Sequence, residues 1–298
     1  MEVLVMTTTL CFVTRNLSVT STDVKKVEIE FEKNNLEVIE KTRLGVDGVV
    51  LRVKNLVFND FTYLEQALKL DINFSSKAIK LKKLLLADMD STIISCECID
   101  ELAEYAGVRH EVAAITEKAM AGNIDFVEAL RQRVRLLKGL TIQQLNDCYD
   151  KKILVNKGAM TLVKTMGSLG SSSAIVSGGF SFFAEKVARE IGFDHVYANQ
   201  LVFEGNMLSG AVKNPIMGSW QKQMVLHKLC NERNIEQCDV IAVGDGANDI
   251  DIVRNAGTGV SYYGKPKLSA ISDFKVNYSD LRALLYFQGI RESEFSTE

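Results

Sequence analysis

The sequence predicts an α/β chain: a doubly wound, Rossmann-like parallel-sheet core with an inserted helical cap, preceded by a small α+β domain. Three observations lead there. Short apolar runs at residues 84–87, 174–176 and 240–243 each end at a polar or glycine-rich loop, and two lead into helical periodicity, as strands buried on both faces do. Residues from about 95 to 157 are almost entirely helical in pattern and follow directly on the first run. The first 80 residues carry strand and helix signals of their own and end in a polar linker. The expected domains are 1–80 and 81–298, the second divided into a core of 81–94 and 158–298 and a cap of about 95–157.

In chain order, residues 1–13 read as an opening strand, and 22–34 as a helix with a capping start and Val24, Val27 and Phe31 at helical spacing. Residues 36–44 and 49–53 are strand-like and flank a hairpin signal at Gly45 and Gly48. Residues 75–83, with Lys77, Lys80, Lys82 and Lys83, form the linker. Within the cap, Val112, Ile115 and Ala119 fall at i, i+3 and i+7, and Thr141 with Gln144 makes a capping box. Phe126, Ala129, Leu130 and Arg133 share one helical face, so Arg133 points where Phe126 does and Arg131 and Arg135 do not. A helical insertion this early reads as a lid over the carboxyl end of strand 84–87.

Composition narrows the function classes. With 47% hydrophobic and 24% charged residues, the 298-residue chain has material for a sizeable core, which excludes a disordered tail, a fibre or a minimal disulfide scaffold. Thirty-five basic residues against 38 acidic ones leave a net charge of −3, so no global field favours nucleic acid or an anionic membrane. Residues 1–15 lack the pattern of a signal peptide and no run approaches the roughly 20 apolar residues of a membrane helix, so a cytoplasmic location is expected. The six cysteines show no paired C-x-x-C spacing and read as reduced thiols with no shared role.

Chemistry concentrates at the strand ends. Asp88 and Asp90 stand at i and i+2 just past the first strand, where open α/β sheets place their ligands. The third strand ends in Gly244-Asp245-Gly246-Ala247-Asn248-Asp249, a second acidic cluster whose glycines admit backbone and ion at close range. Oxygen ligands of this kind suit Mg²⁺. The second strand ends in Ser177-Gly178-Gly179, a hydroxyl and flexible N–H groups that suit phosphate oxygens, and Lys222 lies on a helix expected at about 219–230. A carboxylate attacking an anionic phosphate meets Coulomb repulsion, which a metal and a lysine screen, so phosphoryl transfer through an aspartyl phosphate is the natural reaction class. Taken singly, Asp249 reads equally as a helix cap, Ser177 as a turn serine and Lys222 as a solvated lysine.

As an ordered set, Asp88-Met89-Asp90-Ser91-Thr92, Ser177-Gly178-Gly179, Lys222 and residues 244–249 resemble the four motifs of the haloacid dehalogenase superfamily of phosphotransferases. Residues 97–101, 115–140, 177–186 and the Lys265-Pro266-Lys267 that follows the acidic cluster are similar, more narrowly, to the phosphoserine phosphatases. The resemblance runs from about residue 84 to 290. It implies Mg²⁺-dependent hydrolysis of O-phospho-L-serine to serine and phosphate, the last step of serine biosynthesis. It makes Asp88 the nucleophile and Asp90 the general acid and base, with Mg²⁺ held by Asp88, the Asp90 carbonyl and Asp245. Asn248 and Asp249 would order that site, and Ser177, Gly178 and Lys222 would bind phosphate. Glu97 would meet the substrate ammonium, Arg133 its carboxylate, and Met120, Gly122 and Phe126 would surround it. Read without the resemblance, Glu97 is an ordinary acid at a helix N-terminus, and Met120 and Phe126 are cap core.

The chain departs from that family pattern at 154–158 and at Asp251, where prolines are common, which bears on the cap hinge and on no group assigned to chemistry. The first 80 residues lie outside the resemblance. By fold-level analogy they suit an ACT-like regulatory module, which would pair into a homodimer, or equally a structural extension without a ligand. Two other functions fit part of the pattern: a phosphatase or phosphotransferase for another small phosphate monoester, which would not need Glu97 and Arg133 together, and an idle phospho-receiver or amino-acid sensor, which would not need Asp90.

Overall fold

The computed structural model describes residues 8–56 and 60–296. The first unit runs β1 (Thr9–Thr14), α1 (Ser21–Lys33), β2 (Glu37–Arg43), β3 (Gly48–Lys54), α2 (Thr62–Leu68) and β4 (Asp71–Ser75). Its four strands form an antiparallel sheet in the order β2-β3-β1-β4. Residues 1–7 of the expected opening strand lie outside the described residues. Alternation along β1 explains the packing: Cys11 and Val13 face the core shared with Val24, Val27 and Phe31, whereas Phe12 faces the other way. There it meets Phe274 and Phe287 edge-on at 5.4 and 5.6 Å between ring centroids, so the second face of this sheet docks on the rest of the chain.

Two elements of this unit, α2 and β4, lie outside the strand, helix, strand, strand order that the sequence predicts. Helix α2 has only 7 residues and no side-chain cap bond, and β4 opens on Asp71 and carries Asn73, which break the apolar alternation a strand search relies on. Those polar residues have partners elsewhere. Asp71 accepts the backbone N–H groups of Asn277, Tyr278 and Ser279, and Asn73 exchanges bonds with the Lys275 backbone. The lysine-rich segment after β4 is likewise pinned: Lys80 and Lys83 pair with Asp239 at 2.6 and 2.9 Å, and buried Lys82 donates to the Cys238 carbonyl.

The second unit is built on a six-stranded parallel sheet in the order β12-β11-β10-β5-β6-β7, from β5 (Leu84–Ala87), β6 (Ser172–Phe180), β7 (His195–Asn199), β10 (Val240–Gly244), β11 (Thr258–Tyr262) and β12 (Phe274–Val276). The intervening helices are α7 (Ala159–Ser168), α8 (Ser181–Ile191), α9 (Ser219–Arg233), α10 (Ile250–Asn255) and α11 (Pro266–Ser269), and β8 (Leu201–Glu204) pairs with β9 (Met207–Val212) in a separate hairpin. Leu84 and Leu86 pack toward α9 and α10, while Leu85 and Ala87 pack toward α7 and α8, which is why β5 reads as an unbroken apolar run. The chain leaves β5 for β6 on one side and returns at β10 on the other, so the sheet order reverses at β5 and a crevice opens at the carboxyl ends of β5 and β10.

Between β5 and α7 rises the cap, α3 (Cys98–Ala106), α4 (Arg109–Met120), α5 (Phe126–Leu136) and α6 (Ile142–Lys152). The Thr141 and Gln144 capping box forms at the start of α6. Its two crossings to the core are paired: Ile94 bridges Val155, Ser95 N–H donates to the Leu154 carbonyl, and Asn156 N–H donates to Ile93. Among the described residues no helix is long and apolar enough to cross a membrane.

Candidate active site

The crevice gathers carboxylates from three loops. Asp88 follows β5 directly, its N–H donating to the Val243 carbonyl of β10 and its Oδ1 accepting the Met89 N–H at 2.7 Å. The chain then makes an irregular turn in which Ser91 takes a left-handed conformation (φ 55°), a position non-glycine residues seldom adopt. This turn aims the Ser91 hydroxyl at Glu97, whose Oε1 accepts it at 2.7 Å. Glu97 is the residue before α3 yet makes no side-chain bond to that helix, so its carboxylate faces the crevice and does not cap.

Asp90 projects to a different side of the turn. Its Oδ1 accepts a long 3.4 Å bond from the Cys98 N–H, and its other oxygen passes so close to Gly179 that a Cβ there would fall 2.5 Å away. Burial, and next the charges of Glu97 and Asp88, push the Asp90 carboxyl well above the usual aspartate range. Burial raises Glu97 as well, with Asp245 and Asp88 adding to it.

Lys222, in the first turn of α9, is fully buried between two carboxylates, 3.0 Å from Asp88 Oδ2 and 2.6 Å from Asp249 Oδ1. Burial opposes its charge, but Asp249 and Asp88 outweigh that and hold it protonated. Asn248 donates to Asp88 Oδ2 at 3.2 Å, and the Gly246 N–H donates to Asp249 Oδ2. The glycine at 244 is required: a Cβ there would run into the Asp249 carboxylate. Asp249 is raised to about 7, by burial first and by Asp88 second, even with Lys222 pulling it back.

One lysine for two buried carboxylates leaves the pocket short of positive charge. Oxygens of Asp88, Asp245 and Asp249 lie within 4.8 Å of one another, and all three residues are buried. A cluster of hard oxygen donors that repel each other is what a divalent cation of the Mg²⁺ type needs, so the residues present fit such an ion. The Asp90 side chain is not part of this cluster, and Asp249 is.

The remaining residues singled out from sequence fall in two groups. Ser177 is buried, with its Oγ accepting the Gly179 N–H at 2.9 Å, and the Phe126 ring lies over Gly178 and Gly218, where Cβ atoms would come within 3.3 and 3.4 Å. Arg133 reaches Thr116 Oγ1 at 3.4 Å and the Ala129 carbonyl at 3.3 Å; burial lowers it, against the pull of Asp100, Glu97 and Asp90. Met120 and Gly122 are not brought in: Met120 is 74% exposed at the end of α4, and a Cβ on Gly122 would meet open space. A groove of about 450 Å³ along the seam of cap and core is lined by Phe126, Arg131, Gly218 and Trp220, and none of the carboxylates Asp88, Asp90, Asp245 or Asp249 lines it. Asp88 is only 3% and Asp90 9% exposed, so both carboxylates are covered.

Residues 85–254 match the family model of the haloacid dehalogenase-like hydrolases. The chain belongs to that family. It is 40% identical over 226 residues to a probable phosphoserine phosphatase of Schizosaccharomyces pombe, covering 75% of this chain and 74% of that one. It is 36% identical over 271 residues to a phosphoserine phosphatase of Haemophilus influenzae, covering 89% and 85%. Among solved structures, an unliganded probable phosphoserine phosphatase from Vibrio cholerae superposes with a TM-score of 0.81 at 28% identity, covering 97% of this chain and 88% of that one. Within this family of hydrolases, the chain is a phosphatase.

Ser91, Gly179 and Gly244 lie inside motifs that the sequence makes visible, but the contacts they make with Glu97, Asp90 and Asp249 are not readable there. The Ser91 contact depends on the left-handed turn after β5, and that of Gly179 on the approach of the β5 and β6 strand ends.

Proposed function

We propose that the chain hydrolyses O-phospho-L-serine to L-serine and phosphate in two steps through a phosphorylated Asp88. What carries the reading is the contrast between two carboxyl groups two residues apart. Asp88 lies 3.0 Å from the Lys222 ammonium and accepts from Asn248, a setting that suits an attacking carboxylate, while burial and the charges of Glu97 and Asp88 raise Asp90 well above the usual aspartate range, which suits a proton donor. In the first step an Asp88 oxygen bonds to phosphorus, the bond from phosphorus to the seryl oxygen breaks, and Asp90 gives its proton to that oxygen. In the second, Asp90 takes a proton from water, the water oxygen bonds to phosphorus, and phosphate leaves with Asp88 restored.

Ser177, the Gly178 backbone and Lys222 hold the phosphoryl oxygens. Asp88, Asp245 and the Asp90 carbonyl would hold Mg²⁺, with Asp249 anchoring Lys222 beside them. When bound, the cation neutralises charge shared between the attacking carboxylate and the phosphoryl group. Glu97, turned into the crevice by Ser91, takes the substrate ammonium; Arg133 takes its carboxylate, and Phe126 closes over Gly178. Sequestration beneath the cap makes its opening part of the cycle.

The same reading divides the chain into residues 1–80 and a phosphatase unit of 81–298, with a cytoplasmic setting and a role in serine formation. The βαββαβ order and the β2-β3-β1-β4 sheet favour an ACT-like module that pairs into a homodimer. The test is phosphate release from phosphoserine, phosphothreonine, sugar phosphates and pyridoxal phosphate, each with and without Mg²⁺. Preference for phosphoserine that vanishes with the metal is expected; equal rates across the panel would overturn the substrate assignment.

A further inference from the structure

A second lysine stands beside the acidic cluster, outside the phosphate clamp and the cap contacts. Lys265 Nζ lies 3.4 Å from Asp245 Oδ2, and its backbone N–H donates to the Asp245 carbonyl at 2.8 Å. Pro266 begins α11, and a residue before proline is confined to extended backbone, as Lys265 is (φ −64°, ψ 151°). The main chain is therefore fixed against Asp245 while the side chain, 58% exposed, extends over Gly246, where a Cβ would come within 3.7 Å of the ammonium. Among the described residues Asp245 has no other ion pair, and Lys222 is already enclosed by Asp88 and Asp249.

We propose that Lys265 is a positioning residue that sets the charge of the site from its solvent side. It competes with the divalent cation for Asp245 and lowers the negative potential that a phosphate monoester dianion meets on approach. The inference rests on the functional reading above. It fixes two opposite signs: without the ammonium, the cation binds more tightly and the substrate more weakly. At a partly exposed position each change is about three- to tenfold at low salt and shrinks as salt is added.

The experiment is calorimetric titration of Mg²⁺ into the metal-stripped full chain, as wild type, Lys265→Met and Lys265→Arg, with KM for phosphoserine measured at saturating Mg²⁺. Lys265→Met is expected to bind Mg²⁺ about three- to tenfold more tightly, with KM raised by a similar factor, kcat changed less and the melting temperature kept. Lys265→Arg is expected to follow the wild type in both. Unchanged or weaker Mg²⁺ binding by Lys265→Met, or an unchanged KM, would overturn the proposal. A wild type that binds no Mg²⁺ would overturn the metal reading itself, a result distinct from either.

Discussion

Replacing Lys222 by methionine tests whether the acidic pocket is held together by charge. The side chain is fully buried, and methionine keeps the length of its four-atom stem without the ammonium. At an effective dielectric of about 20, each contact, 2.6 Å to Asp249 and 3.0 Å to Asp88, amounts to about 6 kcal/mol of gross attraction, much of it offset by desolvation of the ammonium. Breaking a buried pair from one side leaves uncompensated carboxylates, so the variant should lose about 3–5 kcal/mol of stability. Asp249→Asn removes one of the two acids and should cost less, because Lys222 keeps Asp88. The double variant should therefore fall short of the summed single losses by about 2 kcal/mol. The sign of the pH dependence follows from Asp249, whose carboxyl is raised to about 7 from 3.8: its contribution is complete below about 4 and is lost as pH rises through 7. Without Lys222 that value rises further, so the deficit should be largest near pH 8 and shrink toward pH 5. Urea unfolding of the metal-free proteins at pH 5, 6.5 and 8 measures all of this. A Lys222→Met loss under about 1 kcal/mol at pH 8, or a double variant whose losses simply add, would refute the charge argument.

Other expectations follow from individual contacts. Arg133→Ala should raise KM about 30- to 100-fold for phosphoserine and much less for phosphoethanolamine, which lacks the carboxylate, in steady-state phosphate release. Gly179→Ala places a methyl 2.5 Å from Asp90 Oδ2 and should lower kcat at least about tenfold while calorimetric Mg²⁺ binding stays near wild type. Asp239 is held down to about 2 by Lys80 and Lys83, so its ionised form adds stability that is present above about 4 and lost as pH falls toward 2. Asp239→Asn should flatten the urea midpoint against pH between 5 and 3, and an unchanged slope would remove the pair from the account.

Legibility from sequence tracked how local each signal was. The strands β5, β6 and β10 were visible because burial on both faces leaves an apolar run with no alternation to misread, and Thr141 with Gln144 marked the start of α6 for a local reason. The lysines after β4 read as a solvated linker because nothing local shows that Asp239, more than 150 positions later, lies beneath Lys80 and Lys83. Asp71 is hidden for the same reason: a polar strand residue looks like a break until the backbone at 277–279 arrives to donate to it.

The site divides along the same line. Asp88 and Asp90 were legible as a pair, but i and i+2 spacing does not separate a charged nucleophile from a proton donor. The two carboxyls differ in their surroundings: Lys222 and Asn248 lie against Asp88, whereas burial and the charges of Glu97 and Asp88 raise Asp90, against a long bond from the Cys98 N–H. Lys222 shows the limit most sharply. Read alone this lysine looks solvated, although it shares a face of α9 with Val225, Leu226, Leu229 and Cys230 at i+3, i+4, i+7 and i+8, a stripe that marks the position for burial without showing what pairs its charge. Only the turn after β10 brings Asp249 under it, and only glycine at 244 lets that carboxylate in. The charge of the pocket is thus a property of three loops at once: each carries a recognisable motif, while the surroundings that set Asp88 apart from Asp90 exist only after β5 and β10 have paired.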